Sequence, residues 1–374
     1  MKFLHTADWQ MGMEAKSAGE KARDVRNARY ESAKAIVKLA KEQRVDFVLL
    51  AGDTFEHESV GPGVITRTVE ILNTFAPLPV YVLPGNHDPL RPGGIWQQPA
   101  WKAVGPHVHV CGEQKEIVLP SGGVLFPCPL KQKQSRVDPT EWIPARAPGD
   151  ERIRIGLAHG GLTILPNSPN FPIAQDRPTH SGLDYLALGD WHGHRKDGRA
   201  VYSGTHEQTA IDEVDPGNVL VVKIAQHGTE PQIEKIRVGC LLWRKIAKDV
   251  QSVDDANALR RDVEALGSPA QLLLRLDVHV HTADPDVATA LETTRQILSQ
   301  TIFRLDWEEH ISTEVSEGLA ELPEGNLRRV DAILAEVQQG RIPEQPCRFA
   351  AAYSSEIVSE ARKKLHALVR EVRR

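Results

Sequence analysis

Five apolar segments of this chain end in residues that can hold a metal ion. The first runs into Asp8-Trp9-Gln10 and the second into Gly52-Asp53. The third ends at Gly85-Asn86-His87-Asp88. A fourth ends at Ala158-His159-Gly160, and a fifth at Gly189-Asp190-Trp191-His192-Gly193-His194. Asp8 and Asp53 supply negative charge, and a carboxylate can bridge two cations. Asn86 offers a neutral oxygen, and His159 and His192 offer imidazole nitrogens. Mixed oxygen and nitrogen donors without thiolate suit Mn, with Fe or Zn as alternatives, rather than Ca. Two such ions roughly 3.5–4 Å apart activate a water and clamp a phosphoryl group for in-line attack. His87, beside Asn86, can donate a proton near neutral pH.

These residues converge only if the segments before them are strands sharing an edge. Phe47–Ala51 and Val80–Leu83 are continuous apolar runs, as expected of strands buried on both faces. Between and before them, apolar residues recur at helical spacing over 25–43 and 64–75. With Lys2–Leu4 this gives a β-α-β-α-β rhythm, which implies an α/β sheet covered by helices. The carboxyl edge of such a sheet is where ligands bind. Further strands are expected at 117–119, 124–126, 153–158, 185–188, 201–203 and 219–224. Pro-rich loops are expected at 127–148 and 165–178. Past residue 240 a strand–helix–strand–helix–strand series over 243–307 reads as a small α/β module. Two amphipathic helices then follow, with stripes at Leu327, Val330, Leu334 and Val337 and at Ile357, Ala361, Leu365, Leu368 and Val372. The domains expected are therefore 1–240, 241–312 and 313–374.

Composition narrows the class. The chain has 374 residues, a net charge of −5, 15 histidines and 4 cysteines. Mild acidity argues against a non-specific nucleic-acid coat. The scattered cysteines exclude a disulfide scaffold and point to a reducing compartment. Asp8 comes too early for a signal-peptide core, and no apolar run approaches the roughly 20 residues that span a membrane. A cytoplasmic protein without membrane contact is expected.

The order D-x-x…GD…GNHD…H…G-x-x-H resembles the calcineurin-like metallophosphoesterases. Within them the segments FLHTAD, LALGDWHG and YSGT look most like the SbcD-type DNA repair exonucleases. The resemblance implies a two-sheet sandwich flanked by helices, with a small α/β cap domain that positions DNA and C-terminal helices that dock a partner. It implies two metals: Asp8 on the first, Asp53 bridging, Asn86 and His159 on the second. His87 becomes the acid for the departing oxygen and Asp88 the residue orienting its ring. It further implies an SMC-like ATPase partner and a homodimer.

Two positions depart from the family pattern. Gln10 stands where D-x-H has histidine, either as a weaker ligand or holding a water. In the last motif an ungapped reading makes Asp190 and His192 the ligand pair. A shifted reading pairs His192 with His194. Glu56 also stands where the SbcD-type nucleases often carry a histidine, a role His57 can take over.

Blander readings cover other residues. His5 reads as structural, and the pairs His107/His109 and His279/His281 as strand-surface residues. His206 either lines the substrate mouth or serves an ordinary loop. Lys131, Lys133, Arg136, Arg195, Lys196 and Arg199 lie on loops that can meet phosphates. The basic tail Arg362, Lys363, Lys364, Arg370, Arg373 and Arg374 is a solvated helix face, a DNA contact or a docking helix. The expected activity is a two-metal phosphodiesterase acting as a DNA exo- or endonuclease. Its rivals are a phosphoesterase for nucleotides or other small phosphates, and a weakly active scaffold for an ATPase.

Overall fold

The structure is a computed structural model describing residues 1–165, 170–282, 284–311, 330–335, 357–358, 361–362 and 364–365. Among these, β1 (Lys2–Thr6), β2 (Phe47–Leu50), β3 (Val80–Val82) and β4 (Val108–Val110) lie parallel to one another. A second sheet holds β5 (Ile117–Val118), β6 (Val124–Pro127), β7 (Arg154–His159), β8 (Tyr185–Gly189), β9 (Arg195–Asp197) and β10 (Ala200–Tyr202). Its spatial order is β5-β6-β7-β8-β10-β9, with β6, β7, β8 and β10 parallel. The chain then returns to the first sheet through β11 (Asn218–Lys223) and β12 (Gln232–Arg237), both antiparallel additions, giving β12-β11-β1-β2-β3-β4.

Strand alternation explains how the layers stack. In β2, Phe47 and Leu49 point to one side and Val48 and Leu50 to the other. Phe47 and Leu49 join Phe3, Tyr81, Leu125, Ile155, Leu157, Tyr185 and Ala187 in a core shared by both sheets. Phe3 and Phe47 stack there at 5.1 Å. Val48 and Leu50 instead meet the helices α1 (Ala22–Glu42) and α2 (Pro62–Asn73). α1 buries Val25, Tyr30, Ala33, Ile36, Val37 and Ala40, the 3–4 residue spacing of a single helical face. Proline at the first position of α2 costs no hydrogen bond there. The outer face of the second sheet is closed by Val124, Phe126, Ala158, Leu186, Leu188 and Tyr202 against loop residues such as Ile143 and Ile173. The short helix α3 (Arg177–His180) begins at the end of the second of the Pro-rich segments. The architecture is thus the expected α/β two-sheet sandwich flanked by helices.

Further along are β13 (Leu242–Val250), α4 (Val253–Glu264), β14 (Leu272–Val280), α5 (Pro285–Thr301) and β15 (Arg304–Ile311), whose strands form a sheet in the order β13-β14-β15. Two compact units divide the chain: Met1–Ile246 with Arg261–Leu276 and Gln296–Trp307, and Ala247–Arg260 with Asp277–Arg295 and Glu308–Arg374. Most of the two amphipathic stripes expected after residue 313 lies outside the described residues. Within what is described, Arg362 donates to Asp331 at 3.0 Å in a buried pair, so this tail residue is not a free surface cation. No helix among the described residues is long and apolar enough to cross a membrane.

Candidate metal centre

The carboxyl ends of β1, β2, β3, β7 and β8 meet. Asp8 follows β1, Asp53 follows β2, Asn86 and His87 follow β3, His159 closes β7, and Asp190 follows β8. Oxygen or nitrogen atoms of Asp8, Asp53 and His159 lie within 4.8 Å of one another, all three residues being buried. Four of the candidate residues sit in the left-handed backbone region: Asp8 (φ 53°), Gln10 (φ 42°), Asp53 (φ 50°) and Asp190 (φ 97°). Such conformations cost about 1–3 kcal/mol each and persist where a site requires them. The glycines of the motifs have a steric reason. A Cβ at Gly52 would lie 2.1 Å from Nδ1 of His159, and one at Gly85 would lie 2.1 Å from Oδ1 of Asp53.

His159 defines one half of the centre. Its Nδ1–H donates to the Ala51 carbonyl at 2.8 Å. When the ring is neutral, the opposite nitrogen, Nε2, carries a lone pair. That lone pair faces Oδ1 of Asn86 at 2.9 Å, Oδ2 of Asp53 at 3.3 Å and Oδ1 of Asp190 at 3.9 Å. Four electron-rich atoms around one point repel unless a cation lies among them, so this donor set fits a metal ion. A proton on Nε2 is the metal-free substitute. Burial opposes charging the ring, but Asp53, then Asp8 and Asp190, outweigh it and raise its pKa well above the usual imidazole range.

His192 defines the other half. Its Nδ1 contacts Oε1 of Glu213 at 2.6 Å and Oγ1 of Thr209 at 3.1 Å, which orients Nε2 toward the side-chain amide of Gln10 at 3.1 Å. The Gln10 amide can turn its oxygen inward as a ligand. Burial lowers the His192 pKa, yet the Glu213 hydrogen bond and Asp8 raise it overall. Burial pushes Asp8 itself up to about 7, against the pull of His159 and His192. Asp53 goes the other way: burial raises it, but His159 and His87 win and lower it. Asp8 is thus held up while Asp53 is held down.

His87 stands at the opening. Its Nδ1–H donates to the Glu56 carbonyl at 2.6 Å, and Nε2 lies 4.0 Å from Oδ2 of Asp53. Asp88 does not orient this ring, contrary to expectation. Its carboxyl group accepts from the Gly85 amide at 2.7 Å and the Phe55 amide at 3.0 Å, pinning the GNHD turn. Burial, reinforced by Asp53, pushes Asp88 up to about 8 against those two amides. An open cavity of 350 Å³ over the centre is lined by Gln10, Asp53, Glu56, His87, Asp190 and His192, among others.

Asp8, Gln10, Asp53, Asn86, His87, His159, Asp190 and His192 are therefore brought together. His194 does not line that cavity, and its Nδ1 bonds the Tyr202 carbonyl at 3.0 Å. His206 is fully buried with Nε2 on the Arg29 carbonyl at 2.9 Å, so it lines no mouth. His57 bonds Ser59. Arg199 spends its guanidinium on the carbonyls of Asp184, Thr229 and Gly228, and Lys196 pairs with Glu230. Sequence reasoning missed Glu213, Thr209 and the Glu56 carbonyl. It also missed Arg29, a fully buried cation that donates to the carbonyls of Trp9 (2.6 Å) and Glu207 (2.8 Å) and so fixes the Asp8–Gln10 loop.

A two-sheet α/β sandwich with aspartate, asparagine and histidine gathered at the strand ends is the arrangement of a metal-dependent phosphoesterase. Residues 1–222 match the Calcineurin-like phosphoesterase family, and the chain belongs to it. Among its relatives is the Uncharacterized metallophosphoesterase YhaO of Bacillus subtilis (strain 168), 28% identical over 255 residues, covering 64% of this chain and 60% of YhaO. The DNA double-strand break repair protein Mre11 of Aeropyrum pernix is 26% identical over 263 residues, 63% of this chain and 61% of that protein. Mre11 of Archaeoglobus fulgidus is 38% identical over 90 residues, 24% and 19% of the two chains. The match thus spans about 60% of the length of YhaO and of the Aeropyrum protein. The crystal structure of the calcineurin-like phosphoesterase YfkN from Bacillus subtilis aligns with a TM-score of 0.36 at 13% identity, over 80% of this chain and 98% of YfkN.

Proposed function

We propose that this chain is a two-metal phosphodiesterase that cleaves DNA, of the SbcD type, and works as a homodimer with an SMC-like ATPase in DNA repair. The observation that carries the catalytic part is His159 Nε2 standing among the side-chain oxygens of Asn86, Asp53 and Asp190, a donor set that fits a cation. The DNA part is supported by the FLHTAD and LALGDWHG segments and by the two archaeal relatives named as double-strand break repair proteins.

Asp8, Gln10 and His192 would hold one ion, Asn86, His159 and Asp190 the other, with Asp53 between them. Manganese suits this mixed oxygen and nitrogen set. Two divalent ions bound there supply Lewis acidity, polarising a phosphoryl oxygen and lowering the pKa of water. Asp190, in place of an imidazole, adds one negative charge to the donor set. The Glu56 carbonyl takes Nδ1–H of His87 and so aims Nε2 at the cavity, where the doubly protonated ring would donate to the departing oxygen.

The test is hydrolysis of single- and double-stranded DNA in Mn²⁺ by the full chain, beside Asp53→Ala and His87→Ala. Cleavage by the wild type and its loss in both variants is the expected result. Equal activity in the variants would reject the site. Activity on a generic phosphodiester with none on DNA would keep the metal centre and reject the nuclease.

A further inference from the structure

A second cavity adjoins the metal centre and is built for negative charge. It holds 430 Å³, within the range of small-ligand sites, and lies between α1 and α2. Met13 lines both this cavity and the one over the metal centre, so the two are neighbours. Helical spacing puts Arg23, Arg26 and Tyr30 on one face of α1. From α2, Arg67 lays its guanidinium 3.7 Å over the Tyr30 ring and donates to Oδ1 of Asn27 at 3.0 Å, which holds it on the cavity wall.

Among the described residues no aspartate or glutamate lines this cavity, although the chain carries a net charge of −5. The nearby carboxylates are turned to lysines: Asp24 to Lys21 and Glu14 to Lys16. Arg26 spends one nitrogen on the Glu14 carbonyl at 2.8 Å and keeps the rest of its fork. Arg23 is exposed. Met13, half-buried, lines the cavity with the arginines and is a soft apolar side chain that accepts a flat ring without demanding one shape, while Met11 is fully buried. Gly61 and Gly63, which have open space where a side chain would stand, leave the rim clear.

Cationic forks over an apolar and aromatic floor match a chain of phosphates carrying planar bases. We propose that this cleft seats the flanking phosphates and a base of a polynucleotide strand whose scissile phosphate lies over the metal centre. This rests on the phosphodiesterase reading, and it names a strand, rather than a mononucleotide or a small phosphate ester, as the substrate.

The test measures binding in EDTA, so that it does not depend on hydrolysis. Fluorescence anisotropy follows fluorescein-labelled oligothymidylate DNA and oligouridylate RNA on the full chain at low salt. The Arg23→Glu/Arg26→Glu variant is compared with Lys34→Glu/Lys38→Glu, which makes the same change of net charge at exposed α1 lysines that do not line the cleft. The arginine variant is expected to raise Kd about tenfold or more. Its plot of log Kd against log salt should flatten by about 0.7 for each phosphate that the cleft no longer neutralises. The lysine variant stays within about twofold of wild type on this electrostatic argument. A preference between the two strands identifies the sugar that the cleft accepts, and loss of either in the arginine variant supports the proposal. Equal loss in both variants, an unchanged Kd in the arginine variant of unchanged melting temperature, or no wild-type binding to either strand would overturn it. A chain that binds strands through these arginines yet hydrolyses no phosphodiester would overturn the metal-centre reading alone.

Discussion

Strand β8 has a carboxylate at each end, Asp184 buried and Asp190 half-buried on the cavity, and the two are treated in opposite ways. Asp184, before its first residue, is surrounded by donors. Arg146 reaches it at 2.9 Å, the amides of Arg154 and Gly228 at 2.9 and 2.8 Å, and His227 at 3.1 Å. Burial raises its pKa, but those donors outweigh burial and hold it below the ordinary 3.8. Asp190, after the last residue of β8, has the opposite balance. Burial raises it, Asp53 adds to the rise, and the attraction of His159 does not cancel them. A buried carboxylate that finds its counter-charges within the chain holds structure together. One whose pKa stays raised, as that of Asp190 does, favours an added cation beside it. The same fold contains both, one at each edge of the sheet.

This contrast can be broken first at Asp190. Asp190→Asn should cut phosphodiester turnover sharply while leaving the melting temperature of the metal-free protein unchanged or raised, because burial and Asp53 hold the Asp190 pKa up in the fold. A fall of several degrees would show that Asp190 is structural, as Asp184 is. His87→Ala should lower kcat about 10²- to 10⁴-fold with metal content retained, as measured on stripped and reloaded protein. Parallel loss of metal would make His87 a ligand instead of the proton donor.

At the other edge the effects should fall on stability. Asp184→Ala should cost about 2 kcal/mol in urea denaturation, since it leaves the buried Arg154 amide unpaired and takes one partner from Arg146. Turnover per folded molecule should hold. Because the folded pKa of Asp184 is depressed, its contribution is present above pH 3.8 and lost as pH falls below that. Wild type should therefore lose stability on acidification more steeply than Asp184→Asn, and parallel curves would contradict this. The smallest effect is expected at Glu213, which acts only through His192. Glu213→Gln should weaken binding of one ion about 10- to 100-fold and leave the other untouched in a Mn²⁺ titration.

Much of this contrast was legible in the sequence at one edge only. Asp8, Asp53, Asn86, His159 and Asp190 each lie at the end of an apolar strand or within four residues of it, so the pattern that makes the strand also points to the ligand. The regular periodicity of α1, α2 and the segments near 243–307 placed those elements within a few residues. The edge strands β9 and β12 were not anticipated. They are short or mostly exposed, and so lack the apolar run that marks a buried strand. Glu213 and Thr209 sit in irregular chain between β10 and β11, with no periodicity to aim them. The anchor of His87 is a backbone carbonyl, which carries no residue identity. Asp88 was misread because adjacency in GNHD suggested a side-chain contact, whereas the turn directs its carboxyl group back onto the amides of Gly85 and Phe55. The Asp184 cluster joins segments 30 to 44 residues apart, a relation that exists only once the sheet has formed.

Whether the carboxyl edge truly lacks counter-charge of its own is measured most directly by isothermal titration of Mn²⁺ into the EDTA-stripped full chain, beside Asp53→Asn. Two ions per chain in the wild type, with protons released from the site and binding lost in the variant, is the expected result. Less than one ion per chain, or equal binding in the variant, would contradict it.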